Sequence, residues 1–211
     1  MICSLGGDCI AASQLRNRNL RPYSLPFDWC FSDGESAILR FAEQLSVGFR
    51  DFALRENMKP IPNLKFAYKD VRTGYNFMHH FHAPRVAPGE YARFRETLDR
   101  RMTRLFAEIE RSRTILFLLS RTYRINEACV REVEKVCRRR WPEKEFYFIL
   151  ATYNSSPASI AYEDHLTAVR ISRDRNDYDL KEKVFEWSFL DNVHFTQRAS
   201  AHFKESGWTE Q

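Results

Sequence analysis

The stretch Ser4-Leu5-Gly6-Gly7-Asp8-Cys9 brings together the residue types that a nucleophilic site needs. Met1 to Leu5 is a short apolar run that reads as a strand, and two glycines then let the backbone turn sharply and approach a ligand closely. Ile10-Ala11-Ala12-Ser13-Gln14-Leu15 continues as a helix starting near Asp8 or Cys9, which aims its free N–H groups at the same point. A thiol there is favoured as the thiolate, and the amides of Gly7 and Cys9 can receive a developing oxyanion. The competing use of Cys9 is as a small buried hydrophobe behind a turn.

A nucleophile needs a base. Asp191 and His194, within Phe189 to Phe195, supply an imidazole with an ordinary pKa near ~6.5 and a carboxylate that can fix its tautomer. The plainer reading makes Asp191 a turn cap and His194 a surface imidazole. The cluster His79, His80 and His82 invites a metal, but on a strand His80 and His82 face away from His79 and no acidic or cysteine ligand has a partner spacing. No metal is expected. The other thiols, Cys3, Cys30, Cys129 and Cys137, read as small apolar side chains, although Cys30 could resolve an oxidised Cys9.

The elements that would position these groups follow from periodicity. Pro22 to Trp29 is a proline-bracketed aromatic loop, followed by a helix from about Ser36 to Val47 that Gly48 ends. Lys65 to Asp70 and Tyr75 to His80 alternate around Arg72-Thr73-Gly74, which predicts a hairpin. Tyr91, Phe94, Leu98, Met102, Leu105, Phe106 and Ile109 recur at helical spacing between Pro88 and Arg111. Thr114 to Leu119 and Phe146 to Ala151 are continuous apolar runs separated by a helix from Glu127 to Arg140, and Leu166 to Ile171 is a further strand. Such runs suit strands buried on both faces. The pattern predicts an α/β fold, a three-layer αβα sandwich with a mostly parallel central sheet and an inserted hairpin, as one domain over residues 1–211. Ligands would collect at the carboxyl ends of its strands, where Gly6 to Cys9, Ser120 onward and Thr152 to Asn154 emerge.

Composition sets the outer limits. A length of 211 residues suits one core, and 44% hydrophobic with 29% charged residues is an ordinary globular balance, so disorder is not expected. No apolar stretch reaches membrane-spanning length and the N-terminus lacks a secretory pattern, so a soluble, cytoplasmic protein without membrane insertion is the expectation. The formal charge of +5 comes from 33 basic residues interspersed with 28 acidic ones, which does not favour nucleic acid. Arg138-Arg139-Arg140 closes a helix, where cations complement the dipole.

The strand, Gly-Asp-nucleophile and helix at the start, with Asp191-x-x-His194 near the end, resemble the first and last blocks of SGNH, or GDSL-type, hydrolases, with Cys9 in place of serine. Between those ends that family's Gly block has no counterpart, and Asn126 is the candidate for its oxyanion-binding Asn block. A broader resemblance spans Ser4 to Cys9, Pro26-Phe27-Asp28-Trp29, Phe77-Met78-His79-His80-Phe81 and Arg100 to Leu105 leading into Ile115-Leu116-Phe117. In this order these motifs are similar to the domains of unknown function called putative papain-like cysteine peptidases. That resemblance implies a cysteine-centred site in which Cys9 is the nucleophile, while Asp28, Trp29 and His80 occupy motif positions lining its pocket; a papain-type order, cysteine before histidine, would instead use His80 as the base. Asp28 and Trp29 equally suit an aromatic plug with a capped turn. Some members accompany polysaccharide machinery.

The resulting expectation is an acyl-transfer enzyme, a hydrolase or acyltransferase, acting on a small-molecule, peptide or glycan-linked substrate through Cys9, His194 and Asp191. No cofactor is required; coenzyme A is a candidate acyl donor, with Arg121 and Arg124 placed to receive its phosphates. The alternative is a non-catalytic ligand- or partner-binding module in glycan assembly, with Cys9 structural.

Overall fold

A computed structural model describes residues 1–7, 9–17, 19–32, 34–82, 87–121, 127–154, 159–163 and 166–172. Among the described residues there are two sheets. The larger one contains β1 (Ile2–Ser4), β6 (Thr114–Arg121), β7 (Glu145–Asn154), β8 (Ser159–Glu163) and β9 (Leu166–Ser172), in the order β1-β6-β7-β9-β8. All its pairings are parallel except β8 against β9. The apolar runs at 114–119 and 146–151 are its centre, as their composition predicts.

Helices α1 (Ile10–Asn17), α2 (Gly34–Ser46), α3 (Pro88–Arg111) and α4 (Glu127–Arg140) complete the α/β architecture. Successive residues of a strand face opposite sides. Ile115, Phe117 and Leu119 of β6, with Phe146, Phe148 and Leu150 of β7, join a large core cluster together with buried residues of α2, α3 and α4. Leu116, Leu118 and Ile149 are also buried but lie outside that cluster, as do Ala11, Ala12 and Leu15 of α1, which packs on β6. Helices therefore flank the sheet on both faces. Helix α3 buries the predicted stripe Phe94, Leu98, Met102, Leu105 and Ile109. The basic end of α4 is structural: Arg138 pairs with Glu134 four residues earlier, and Arg140 donates to the Leu45 carbonyl while stacking on Phe106 and Trp141.

The predicted hairpin is part of something larger. Strands β2 (Cys30–Ser32), β3 (Met58–Pro60), β4 (Tyr68–Asp70) and β5 (Tyr75–Phe77) form an antiparallel sheet in the order β2-β5-β4-β3. Each is three residues long. Strand β5 ends at Phe77, so His79 and His80 follow the strand instead of alternating along it as the sequence suggested. The reason is local: Tyr75, Asn76 and Phe77 already satisfy the register with Ser32, Phe31 and Cys30, and β2 has no further residue to pair.

Candidate active site

The glycine turn after β1 is held from two sides. On the parallel sheet, the Leu5 N–H donates to the Leu118 carbonyl at 2.9 Å. On the small sheet, the Tyr75 hydroxyl donates to the Leu5 carbonyl at 3.1 Å, and Gly7 makes a parallel bridge to Phe31. Gly6 and Gly7 adopt φ of 82° and 101°, where a side chain is strained. A Cβ on Gly6 would also stand 3.1 Å from both the Cys30 carbonyl oxygen and Cε1 of Tyr75. This turn needs glycine for close approach as well as for its dihedral.

Cys9 follows as the cap of α1, its carbonyl accepting the Ser13 N–H at 3.0 Å. The next amides of α1 therefore lie at the free, positive end of the helix dipole, beside the thiol-bearing residue. Cys9 is half-buried, whereas Cys3, Cys30, Cys129 and Cys137 are buried and none of the five is in a disulfide. Burial pushes the Cys3 thiol up to about 12 and raises those of Cys30, Cys129 and Cys137 as well, so these four are held as thiols. Among the cysteines, the access and the helix end that nucleophilic chemistry uses coincide at Cys9.

Phe27 and Asp28 act as the plug and the cap. Phe27 is fully buried, with ring centroids 4.9–5.3 Å from Phe41, Phe49, Phe52 and Tyr75. The Asp28 carboxylate, 1% exposed, accepts from Arg21 at 2.5 Å and from the Leu25 N–H at 2.6 Å. Its carboxyl nonetheless lies above the ordinary range, because burial outweighs the attraction of Arg21. Trp29 is half-buried; the Arg16 guanidinium sits 5.5 Å above its ring, joining the motif to α1 two turns beyond Cys9.

His80 stands edge-on to Phe77 at 5.7 Å and to Phe94 at 5.4 Å. Burial, reinforced by Arg101, His79 and His82, lowers its pKa to about 4, so the ring is neutral near pH 7. His79 is exposed, its ring 6.5 Å from that of Phe31, the residue bridged to Gly7. The sequence treated His79 only as part of a histidine cluster; its nearness to the glycine turn arises from the pairing of β2 with β5, which three-residue strands do not announce. Asp191, His194, Asn126 and Arg124 lie outside the described residues. Arg121 ends β6 opposite Thr152, at the carboxyl edge where the glycine turn also emerges.

A family model matches residues 1–143, from β1 through α4, and its description is putative papain-like cysteine peptidase. No curated protein and no solved structure matches the chain.

Proposed function

The chain belongs to the family of putative papain-like cysteine peptidases, and from that premise we propose that it is a cysteine-nucleophile hydrolase acting on a peptide or small acyl substrate, with Cys9 as the attacking group. The observation that carries this reading is the placement of Cys9: the half-buried thiol among four buried ones, capping α1 behind a glycine turn at the carboxyl edge of the parallel sheet. The Cys9 sulfur attacks the carbonyl carbon, and the amides of Gly7 and Cys9 stabilise the oxygen that gains the electron pair. A base takes the thiol proton and returns it to the leaving group; water then releases the acyl group and regenerates the thiol. A sugar or amine acceptor in place of water makes the same cycle an acyl transfer.

Two arrangements of the base are distinguished by specific observations. Asp191 stands three residues before His194, a spacing that lets a carboxylate orient the imidazole. The family match, however, contains His79, His80 and His82 and stops before His194. Within that histidine segment His79 is the exposed ring beside Phe31, while His80 is sequestered between Phe77 and Phe94.

Iodoacetamide labelling followed by peptide mass mapping is expected to modify Cys9 fastest of the five thiols near neutral pH, and Cys9→Ser to abolish acyl-enzyme formation with activated esters. Labelling of Cys9 no faster than Cys129 or Cys137 rejects the hydrolase in favour of a binding module. Single-turnover acylation in His194→Ala, His79→Ala and His80→Phe identifies the base by which substitution removes the step.

A further inference from the structure

In β2, β5 and β4 the first and third residues are buried and the middle one is half-buried, and in β3 Met58 is buried while Lys59 is exposed. Successive residues of a strand face opposite sides, so Phe31, Asn76, Lys69 and Lys59 share the outer face of the small sheet. They are also register partners in that order, Phe31 with Asn76, Asn76 with Lys69 and Lys69 with Lys59, and therefore form one row across the sheet. The row continues past the edge of β2. Phe31 bridges Gly7, two residues before Cys9, and the exposed His79 ring stands 6.5 Å from that of Phe31. One end of the row is thus at the glycine turn, and the other is cationic.

The cationic end has a composition of its own. Residues 58–69 carry Lys59, Lys65 and Lys69 and no Asp or Glu. Asp70, which follows, is buried on the inner face and accepts from Ala53, Arg72 and Thr73. Lys59 and Lys69 stand directly opposite each other, where like charges destabilise a strand pair, in a sheet whose three-residue strands have little stability to lose. An anionic group bound over the pair removes that cost. We propose that the row of Phe31, Asn76, Lys69 and Lys59 is a substrate track leading away from Cys9, which accepts an extended peptide or acyl chain bearing a carboxylate on its acyl side. This rests on the reading of Cys9 as the nucleophile. Neighbouring strands are about 4.8 Å apart, so Lys69 and Lys59 lie about 14 and about 19 Å from Gly7 along the row. An extended chain advances about 3.4 Å per residue, which puts the carboxylate about four to six residues from the scissile carbonyl. Phe31 meets the part of the chain nearest the reacting carbonyl, and the lysines hold its charge.

Two readouts on the full chain test the track. Peptidyl chloromethyl ketones with a single Glu, or a single Gln, about five residues before the reactive carbon report Cys9 alkylation by mass mapping. The unreactive methyl ketones of the same peptides, carrying a fluorophore, report binding by anisotropy. The Glu peptide is expected to bind about fivefold more tightly than the Gln peptide at low salt and to alkylate Cys9 correspondingly faster, with the advantage shrinking as salt rises. Lys59→Gln combined with Lys69→Gln removes the advantage, and Lys59→Glu combined with Lys69→Glu transfers it to a peptide carrying Lys at that position. Lys135→Gln, on the exposed surface of α4, leaves it intact. Equal binding of the Glu and Gln peptides by wild type, or a Glu advantage that survives the double Gln variant, overturns the track. Tighter binding of the Glu peptide without faster alkylation, in a protein whose Cys9 reacts rapidly with iodoacetamide, overturns it too, because the row then does not lead to the thiol. Slow reaction of Cys9 with iodoacetamide, with lysine-dependent binding retained, removes the hydrolase reading and leaves the row standing as a peptide-binding face.

Discussion

The two sheets are stabilised by different means, and the glycine turn before Cys9 lies where they meet. In the larger sheet, β6, β7 and β9 run for eight, ten and seven residues, long enough for main-chain ladders and apolar runs to fix their register. In the smaller sheet no strand exceeds three residues. So few ladder bonds do not hold a sheet alone. Its register rests on side chains instead: Cys30, Ser32, Tyr68, Asp70, Tyr75 and Phe77 all point inward, and Phe27 packs against Tyr75. Phe27 also meets Phe41, whose ring lies 6.4 Å from Phe117 of β6, so one aromatic chain couples the small sheet to the large one. The position of Cys9 therefore depends on side-chain packing as much as on the parallel sheet.

Truncating that aromatic chain should have the largest effect. Phe27→Ala removes four buried ring contacts and is expected to cost about 3–5 kcal/mol in urea unfolding, with Cys9 labelling altered at the same time. Leu119→Ala in β6, at a cost of about 2–5 kcal/mol, should leave the small sheet intact. If both variants change the environments of Tyr68 and Tyr75 equally, the two sheets are not stabilised separately and the contrast fails.

A second, smaller effect is set by pH. His80 has a folded pKa of about 4 against an unfolded value of 6.5, so between these limits the unfolded chain binds a proton that the folded chain does not. Its contribution is complete above pH 6.5 and is lost as pH falls toward 4, reaching about 2–3 kcal/mol. His80→Phe keeps a ring between Phe77 and Phe94 but cannot titrate. Its unfolding free energy should fall less steeply than wild type between pH 6.5 and 4.5; parallel curves would mean that the imidazole is solvated.

The same contrast explains what could be read from the sequence. The parallel sheet, α3 and α4 were legible because Thr114 to Leu119, Phe146 to Ala151 and the Phe94 to Ile109 stripe are long, regular signals. Gly6, Gly7 and Cys9 were legible because a glycine pair between a strand and a helix has few other uses. Strands β2 and β3 were not, since Cys30–Ser32 and Met58–Pro60 are too short to show a period. Arg101 appeared as one arginine in a basic segment; that it is half-buried depends on where α3 docks. Likewise the β2–β5 pairing, not any spacing, brings His79 to the Phe31 side of the glycine turn.

The smallest expected effect isolates one hydrogen-bond cluster of the small sheet. Asp70 is fully buried at the end of β4 and accepts from the N–H groups of Ala53, Arg72 and Thr73 and from the Thr73 hydroxyl, at 2.7–3.4 Å. It ties the β4–β5 turn to the Phe52-Ala53 segment, which α3 also holds through Arg95 on the Phe52 carbonyl and Tyr91 on the Ala53 carbonyl. Asp70→Asn keeps the shape and one acceptor oxygen but replaces the other with an amide that cannot accept the Ala53 N–H. One buried donor is then left unpaired, at a cost of about 1–2 kcal/mol. Because α3 still anchors the segment, Cys9 labelling should stay at the wild-type rate while hydrogen exchange quickens at Ala53, Arg72 and Thr73. Faster exchange spreading into β6 instead would show that this turn supports both sheets, and that the division between ladder-held and side-chain-held regions is drawn in the wrong place.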